Sequence, residues 1–121
     1  MIVIHSQNEI NKVENEELQE YLEYSFSRMP TDILEHYEAN GSYFVVVESW
    51  SELTQKSIKI DEWEVTSMES DEFFNCIELV EVRENIMEIL IQVSSDVSFG
   101  LVLEMKILPV HIKSKLLQDV L

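Results

Sequence analysis

Glycine and cysteine are scarce in this chain, and their scarcity excludes several classes of protein. Only Gly41 and Gly100 are glycines among the 121 residues, so no glycine-rich loop is available to cradle the phosphates of a nucleotide. Cys76 is the single cysteine, which excludes an internal disulfide and the paired-cysteine patterns of zinc sites and is typical of a reducing compartment. We expect Cys76 to be a buried structural thiol at the start of a strand.

Long hydrophobic runs are also missing. The longest span three or four residues, as at 44–47 and 101–103, whereas about 20 apolar residues are needed to cross a bilayer. The N-terminus lacks a basic region followed by an apolar stretch, so we expect no secretory signal and a cytoplasmic location. The length and the 45% hydrophobic content predict a single globular domain over residues 1–121.

Positive charge is in equally short supply. Eight Lys and Arg residues stand against 24 Asp and Glu residues, a formal net charge of −16 at pH 7. Residues 9–38 carry nine carboxylates and two bases, a net of −7, and residues 60–90 carry ten carboxylates and one base, a net of −9. Such a surface repels a second copy of itself as well as DNA, RNA and anionic membranes. We therefore expect a monomer with a strongly basic protein partner and no direct binding to nucleic acid or membrane.

The sequence contains no catalytic or metal-binding motif. Asp32 and His36 are four residues apart on a predicted helix beside Glu35, but the second histidine that would make a metal site specific is missing. His5 and His111 stand alone at segment ends. No acid–base pair can be singled out among 24 carboxylates. We predict no catalytic residue, no metal and no cofactor.

The spacing of apolar residues predicts helices at both ends of the chain. Residues 8–29 form the first predicted helix, with a capping box of Ser6 and Glu9 at its start. Pro30 separates it from a second helix that Thr31 caps and that Gly41 ends in a left-handed conformation. A closing helix is predicted over residues 110–121, with Ile112, Leu116, Leu117 and Val120 pointing inward.

Strands are predicted between these helices, and a short one precedes them. They lie at 2–4, 43–47, within 58–65, at 77–82, 86–93 and 97–108. Turn residues at 83–85 and 94–96 connect the last three strands as an antiparallel meander. The predicted fold class is α+β, with N-terminal helices, an antiparallel sheet of about five strands and a C-terminal helix.

Each acidic stretch contains a candidate binding surface. Glu16, Glu20 and Glu23 share one face of the first predicted helix, with Glu17 beside them. Like charges at this spacing destabilise an isolated helix by a few tenths of a kcal/mol per pair, so we expect an external partner to offset them. Within the second stretch, residues 61–72 contain six carboxylates and no base, with Trp63 as a candidate interface anchor. The predicted partner-binding residues are Glu16, Glu17, Glu20, Glu23, Asp61, Glu62, Trp63, Glu64, Glu69, Asp71 and Glu72.

In overall character the chain resembles the immunity proteins of bacterial contact-dependent growth inhibition systems. The resemblance rests on the acidic, Glu- and Ile-rich composition with Ala39 as the single alanine, and on the run Ile-Asp-Glu-Trp-Glu-Val at 60–65. Members of that group bind the C-terminal toxin domain of a large secreted adhesin, often a nuclease, and protect the cell that makes it. The resemblance implies an antitoxin that occludes the active site of a basic toxin and catalyses no reaction. It assigns no role to an individual residue.

Two other functions are compatible with the sequence. A nucleic-acid mimic that inhibits a DNA-binding enzyme would space its carboxylates like phosphates, and the neutral stretches 39–59 and 91–121 interrupt such a pattern. A small-ligand-binding domain or an enzyme would instead have a deep pocket that contains a carboxylate or histidine with a displaced pKa. The breadth of partners distinguishes the mimic from an immunity protein, which recognises one cognate toxin.

Overall fold

A computed structural model describes residues 1–41 and 43–118 of the chain. Its strands are β1 (Ile2–Ile4), β2 (Tyr43–Val46), β3 (Ser57–Ile60), β4 (Trp63–Thr66), β5 (Ile77–Arg83), β6 (Ile86–Gln92) and β7 (Ser98–Glu104). Its α-helices are α1 (Glu16–Arg28), α2 (Thr31–Asn40), α3 (Asp71–Asn75) and α4 (Val110–Leu117). Short 3-10 helices lie at Gln7–Lys12, Trp50–Glu52 and Met105–Ile107.

The central sheet has five strands in the order β1-β2-β7-β6-β5, and β3 and β4 pair separately as a hairpin. β5, β6 and β7 form the predicted antiparallel meander, and the α+β class is confirmed. β2 runs parallel to β7, with Val45 opposite Leu101, so the prediction of a purely antiparallel sheet is wrong at this pairing. The reason is topological, because the long connection through the hairpin, α3, β5 and β6 returns the chain to β2 in the same direction.

The first predicted helix is divided in two. The 3-10 helix Gln7–Lys12 precedes α1, and the side chain of Asn15 caps α1 by accepting a backbone N–H from its first turn. The predicted capping box is not formed, because the Ser6 side chain makes no cap hydrogen bond and the Glu9 carboxylate accepts the backbone N–H of His5. The α-helix therefore starts at Glu16, later than the predicted start at residue 8.

The ends of the other predicted elements agree with the structure at some positions and differ at others. Thr31 is the first residue of α2 and not its cap, since the carbonyl oxygen of Pro30 accepts the N–H of Leu34 at 3.0 Å. Gly41 has a φ of 74°, which confirms the left-handed conformation expected after α2. The stretch 58–65 contributes to both strands of the hairpin, and α3 forms where no element was predicted. Val120, predicted to point inward, lies outside the described residues.

Each face of the central sheet has its own covering layer. Alternate residues of a strand point to opposite faces, so Val45 packs on one side and Phe44 on the other. We call the side covered by the β3–β4 hairpin, α3 and α4 the hairpin face, and the side covered by α1 the α1 face. The most deeply buried residues on the hairpin face include Phe73, Met87, Ile89, Ile91, Phe99 and Leu103. Those on the α1 face include Ile4, Leu18, Leu22, Val46 and Val102.

Candidate functional site

The outer side of α1 carries exposed carboxylates that form no salt bridge within the described part of the chain. The inner side of the helix, from Leu18 to Phe26, supplies its apolar positions to the α1 face. The helical period therefore turns the four predicted carboxylates outward, to Glu16, Glu17, Glu20 and Glu23. None of these four takes part in a salt bridge with another described residue. We call this set the α1 acidic surface.

A groove of about 240 Å³ adjoins the α1 acidic surface. Glu17 and Glu20 line it from α1, and Glu84 lines it from the β5–β6 turn, where it has a φ of 55°. Arg83 also lies there, but its guanidinium carbon is 3.6 Å from the centre of the Tyr24 ring, in a cation–π contact. Three carboxylates thus border a groove that suits the cationic end of a lysine or arginine side chain.

The other predicted residues lie on the opposite side of the central sheet. Asp61 and Glu62 form the turn of the hairpin, Glu64 is exposed on β4, and Glu69, Asp71 and Glu72 lie at or beside α3. Two of these carboxylates already have partners. Asp61 Oδ2 is 2.9 Å from Nε2 of His5, and Asp71 Oδ1 is 3.1 Å from Nζ of Lys115. We call this set the hairpin acidic surface.

The aromatic residues near the hairpin acidic surface contribute mainly to the fold. Trp63 is partly buried and packs against the core of the hairpin face, as do Trp50 and Phe74. Phe73 is fully buried. Lys115 covers the ring of Phe74, with its Nζ 3.9 Å from the ring centre. A partner could therefore contact only the outer part of Trp63.

The eleven predicted residues form two surfaces and not one. The central sheet separates α1 from the hairpin and α3, since each packs on its own face. A partner that docks on a single patch therefore contacts one set or the other. All four carboxylates of the α1 acidic surface are outside the salt bridges of the described residues, as are Glu62, Glu64, Glu69 and Glu72 of the hairpin acidic surface. The adjoining groove is what distinguishes the α1 acidic surface.

His5 connects the two acidic stretches at the β1 edge of the sheet. Its Nδ1 is 3.0 Å from Oε1 of Glu9, and its Nε2 is 2.9 Å from Oδ2 of Asp61. The hydrogen bond to Asp61, helped by Glu9, raises the pKa of His5. Lys12, followed by His5, lowers the pKa of Glu9 to about 2. Sequence reasoning missed this cluster, because Asp61 is 56 residues away from His5.

Glu88 on β6 is a buried carboxyl group that sequence reasoning missed. It is 9% exposed, and its Oε1 accepts hydrogen bonds from the hydroxyls of Tyr21 at 2.9 Å and Ser25 at 3.1 Å. Burial raises the pKa of Glu88, against the opposing effect of the two hydrogen bonds. Burial beside this carboxyl also raises the pKa of Tyr21. The available signal was the position of Glu88 between Met87 and Ile89, in the middle of an otherwise apolar strand.

Cys76 and the candidate metal ligands also have defined positions. Cys76 caps the end of α3 and packs against the core of the hairpin face, with its Sγ 3.5 Å from the carbonyl oxygen of Glu72. It is only partly buried, so it is less buried than predicted. Asp32 and His36 both lie on α2. Within residues 1–41 and 43–118, no cluster of three His, Cys, Asp or Glu residues could hold a metal ion. No helix in the same residues is long and apolar enough to cross a membrane.

Comparisons with protein-family models, curated proteins and solved structures find no match to this chain. Function is therefore inferred from the chemistry of its surfaces and cavities.

Proposed function

We propose that this chain is an acidic cytoplasmic immunity protein that binds a basic toxin domain, a nuclease, and occludes its active site. The observation that carries the proposal is the α1 acidic surface, whose carboxylates form no salt bridge with another described residue and adjoin a groove bordered by three carboxylates. Local like-charge repulsion costs stability, so a basic partner that relieves it gains binding energy from the same groups. The chain itself performs no chemistry in this account.

The charge distribution favours fast and oriented encounter with a basic protein. A clustered field of one sign raises association rates, to as much as ~10⁸–10⁹ M⁻¹s⁻¹ at low salt. The groove beside Glu17 and Glu20 then gives one lysine or arginine of the partner a defined position. In this account, electrostatic attraction sets the association rate, and the groove fixes the position of the partner on α1.

Occlusion of the active site follows from the way in which a nuclease binds its substrate. A nuclease holds its substrate phosphates with Lys and Arg side chains, and the carboxylates of α1 would engage the same side chains. Substrate and inhibitor then compete for one set of cations. The hairpin acidic surface, on the far side of the sheet, is left free or takes part in a second contact.

The proposal is tested by affinity capture from the native host at low and then at moderate salt, read by mass spectrometry. The baits are the wild type, an α1 variant (Glu17→Lys, Glu20→Lys, Glu23→Lys) and a matched control (Asp32→Lys, Glu35→Lys, Asp96→Lys). The control makes the same change in net charge at exposed residues outside both acidic surfaces. Circular dichroism confirms that each bait is folded.

We expect the wild type and the control to retain one basic protein at moderate salt and the α1 variant to lose it. Many DNA-binding proteins that wash off with salt would favour a nucleic-acid mimic instead. Retention of the same protein by all three baits would remove α1 from the interface. Recovery of no basic protein would contradict the proposal.

A further inference from the structure

A cavity of about 150 Å³ lies on the α1 face, where α1 ends and α2 begins. Its walls are mostly apolar and come from both helices and from the central sheet. Phe26, Met29, Leu34, Phe44, Leu79 and Leu90 form these walls. Leu79 is 46% exposed, so it stands at the mouth, whereas Phe44 is buried.

Glu88 brings a carboxyl group to this apolar cavity. Both hydrogen bonds that the described residues give to Glu88, from Tyr21 and Ser25, fall on Oε1. Oε2 receives no hydrogen bond from the described residues. Every side-chain oxygen that is sealed from solvent among those residues has a hydrogen-bond partner, so Oε2 is not sealed. Oε2 therefore retains access to the space beside it and is available to a ligand.

Gly100 on β7 allows this arrangement. A Cβ atom at that position would lie 3.0 Å from Cδ1 of Phe44 and 3.7 Å from Cδ of Glu88. A larger residue would therefore require the Phe44 ring to shift by a few tenths of an ångström. The close approach of backbone, ring and carboxyl group is what gives the cavity its shape.

A second cavity of about 200 Å³ also borders Glu88 and shares Met29 and Phe44 with the first cavity. Arg28 lines this second cavity, but its guanidinium group is paired with the carboxylate of Glu81. The first cavity has no lysine or arginine among its described lining residues. His5 lines it too, with its ring nitrogens paired with Glu9 and Asp61, and Glu38 and Glu88 contribute carboxyl groups. Carboxyl groups therefore outnumber cationic groups in the lining of the first cavity.

The charge and size of the cavity restrict the ligand. A carboxylate or phosphate would be repelled by Glu38, by Glu88 and by the net charge of −16, whereas a cation would be attracted. An apolar cavity of about 150 Å³ is known to accommodate a benzene ring. An ammonium group beside Glu88 would also supply the counter-charge that makes burial of an ionised carboxylate tolerable.

We propose that this cavity binds a small primary amine with an apolar body of about the size of a phenyl ring, whose ammonium group donates a hydrogen bond to Oε2 of Glu88. The body packs against the Phe26–Phe44 ring pair, whose centres are 5.0 Å apart, and against Leu90. This site is separate from the α1 acidic surface, because it lies under the helices and not on their outer side. Its existence does not depend on the proposed immunity function.

The test is a titration of the ¹⁵N-labelled protein with 2-phenylethylamine, followed by NMR, with dissociation constants from calorimetry. Three matched probes accompany it: 2-phenylethanol has the same body without the charge, 3-phenylpropionate has the opposite charge, and methylammonium has the charge without the body. We expect the amine to shift the resonances of Phe26, Leu90 and Gly100. We also expect it to bind about tenfold or more tightly than the alcohol, as one charge-assisted hydrogen bond to a buried carboxylate provides.

Two variants make the test specific. Glu88→Gln keeps an oxygen for Tyr21 and Ser25 and removes the charge, so it should bring the affinities for amine and alcohol to within about twofold of each other. Leu79→Lys places a cation at the exposed mouth and should weaken the amine more than the alcohol, with Leu79→Gln as the neutral control. These substitutions leave the outer side of α1 unchanged, so partner capture remains a separate measurement.

Three results would overturn the proposal. The first is equal binding of amine and alcohol to the wild type, or no binding of either at millimolar concentration. The second is a set of shifts that methylammonium reproduces, which would show binding to surface carboxylates only. The third is a preference for the amine that persists in Glu88→Gln.

Discussion

The two faces of the central sheet differ in how completely they are closed. On the hairpin face Phe99, Met87 and Ile89 are fully buried, and that core is entirely apolar in the part of the chain that the structure describes. The α1 face contains the buried polar residues Ser25 and Glu88 and a cavity. The comparison suggests that the hairpin face provides most of the stability, whereas the α1 face combines a weaker core with the features suited to binding.

Matched leucine truncations test this division most strongly. Leu101 is 1% exposed on the hairpin face, and Leu90 is partly exposed beside the cavity on the α1 face. We expect Leu101→Ala to lower the free energy of unfolding by about 2–5 kcal/mol, because it removes buried methyl groups and leaves a void. Leu90→Ala should cost about half of that or less, because part of its surface is already solvated. Urea denaturation measures both, and equal costs would show that the two faces are equally well packed.

The second prediction concerns the buried carboxyl group. Because burial raises the pKa of Glu88 above its unfolded value, its contribution to stability is greatest below about pH 4.5 and declines as the pH rises through the folded pKa. Glu88→Gln should therefore stabilise the protein at neutral pH, by about 1.4 kcal/mol for each pH unit between the folded and unfolded pKa, and the gain should shrink in acid. Urea denaturation over a pH series measures the effect.

Tyr21→Phe is the matched control for that prediction. It removes one hydrogen bond to the ionised form of Glu88, so it should destabilise the protein more at neutral pH than in acid. At neutral pH, Glu88→Gln should therefore raise the free energy of unfolding and Tyr21→Phe should lower it, and both effects should shrink in acid. A pH-independent effect of Glu88→Gln would show that the carboxyl group titrates as it does in water.

The third and smallest effect is expected at the edge where the two acidic stretches meet. Asp61 and Glu9 raise the pKa of His5, so the stabilisation from protonated His5 is complete below about pH 6.5 and is lost as the pH rises through its folded pKa. Glu9, with a pKa of about 2, adds stabilisation that is present above about pH 4.5 and is lost as the pH falls towards 2. The cluster therefore contributes most between these limits.

His5→Gln should lower stability by up to about 1 kcal/mol near pH 5.5 and by less near pH 8.5, since the groups are substantially exposed. Asp61→Asn is the matched variant, because it removes the charge at the other end of the His5–Asp61 contact. A penalty that is the same at both pH values would show that the charge of His5 is not involved.

Local sequence signals predicted the elements of the fold better than their assembly. The turns at 83–85 and 94–96 correctly separated β5, β6 and β7, because their clustered polar residues divide three segments rich in β-branched and other apolar residues. The parallel pairing of β2 with β7 and the separate hairpin depend on contacts distant in sequence, which apolar periodicity does not encode. α3 was missed because its five residues are too few to show a helical period.

The candidate site was predictable only in part, for a similar reason. The exposure of Glu16, Glu17, Glu20 and Glu23 follows from helical spacing, so it could be read from the sequence. The separation of the two acidic surfaces depends on which face of the sheet each element covers. Glu88 was hidden among 24 carboxylates, and its burial against Tyr21 joins residues 67 positions apart.

The association rate of the captured basic partner, measured over a range of ionic strength, tests the central claim most directly. The wild type is compared with the α1 variant, its matched control, and a hairpin variant (Glu62→Lys, Glu64→Lys, Asp71→Lys). We expect the α1 variant to associate about tenfold or more slowly at low salt, and the difference from wild type to shrink as salt screens the charges. The control and hairpin variants should show smaller reductions. An unchanged rate for the α1 variant would contradict the account, and a selective loss in the hairpin variant would move the interface to the opposite face.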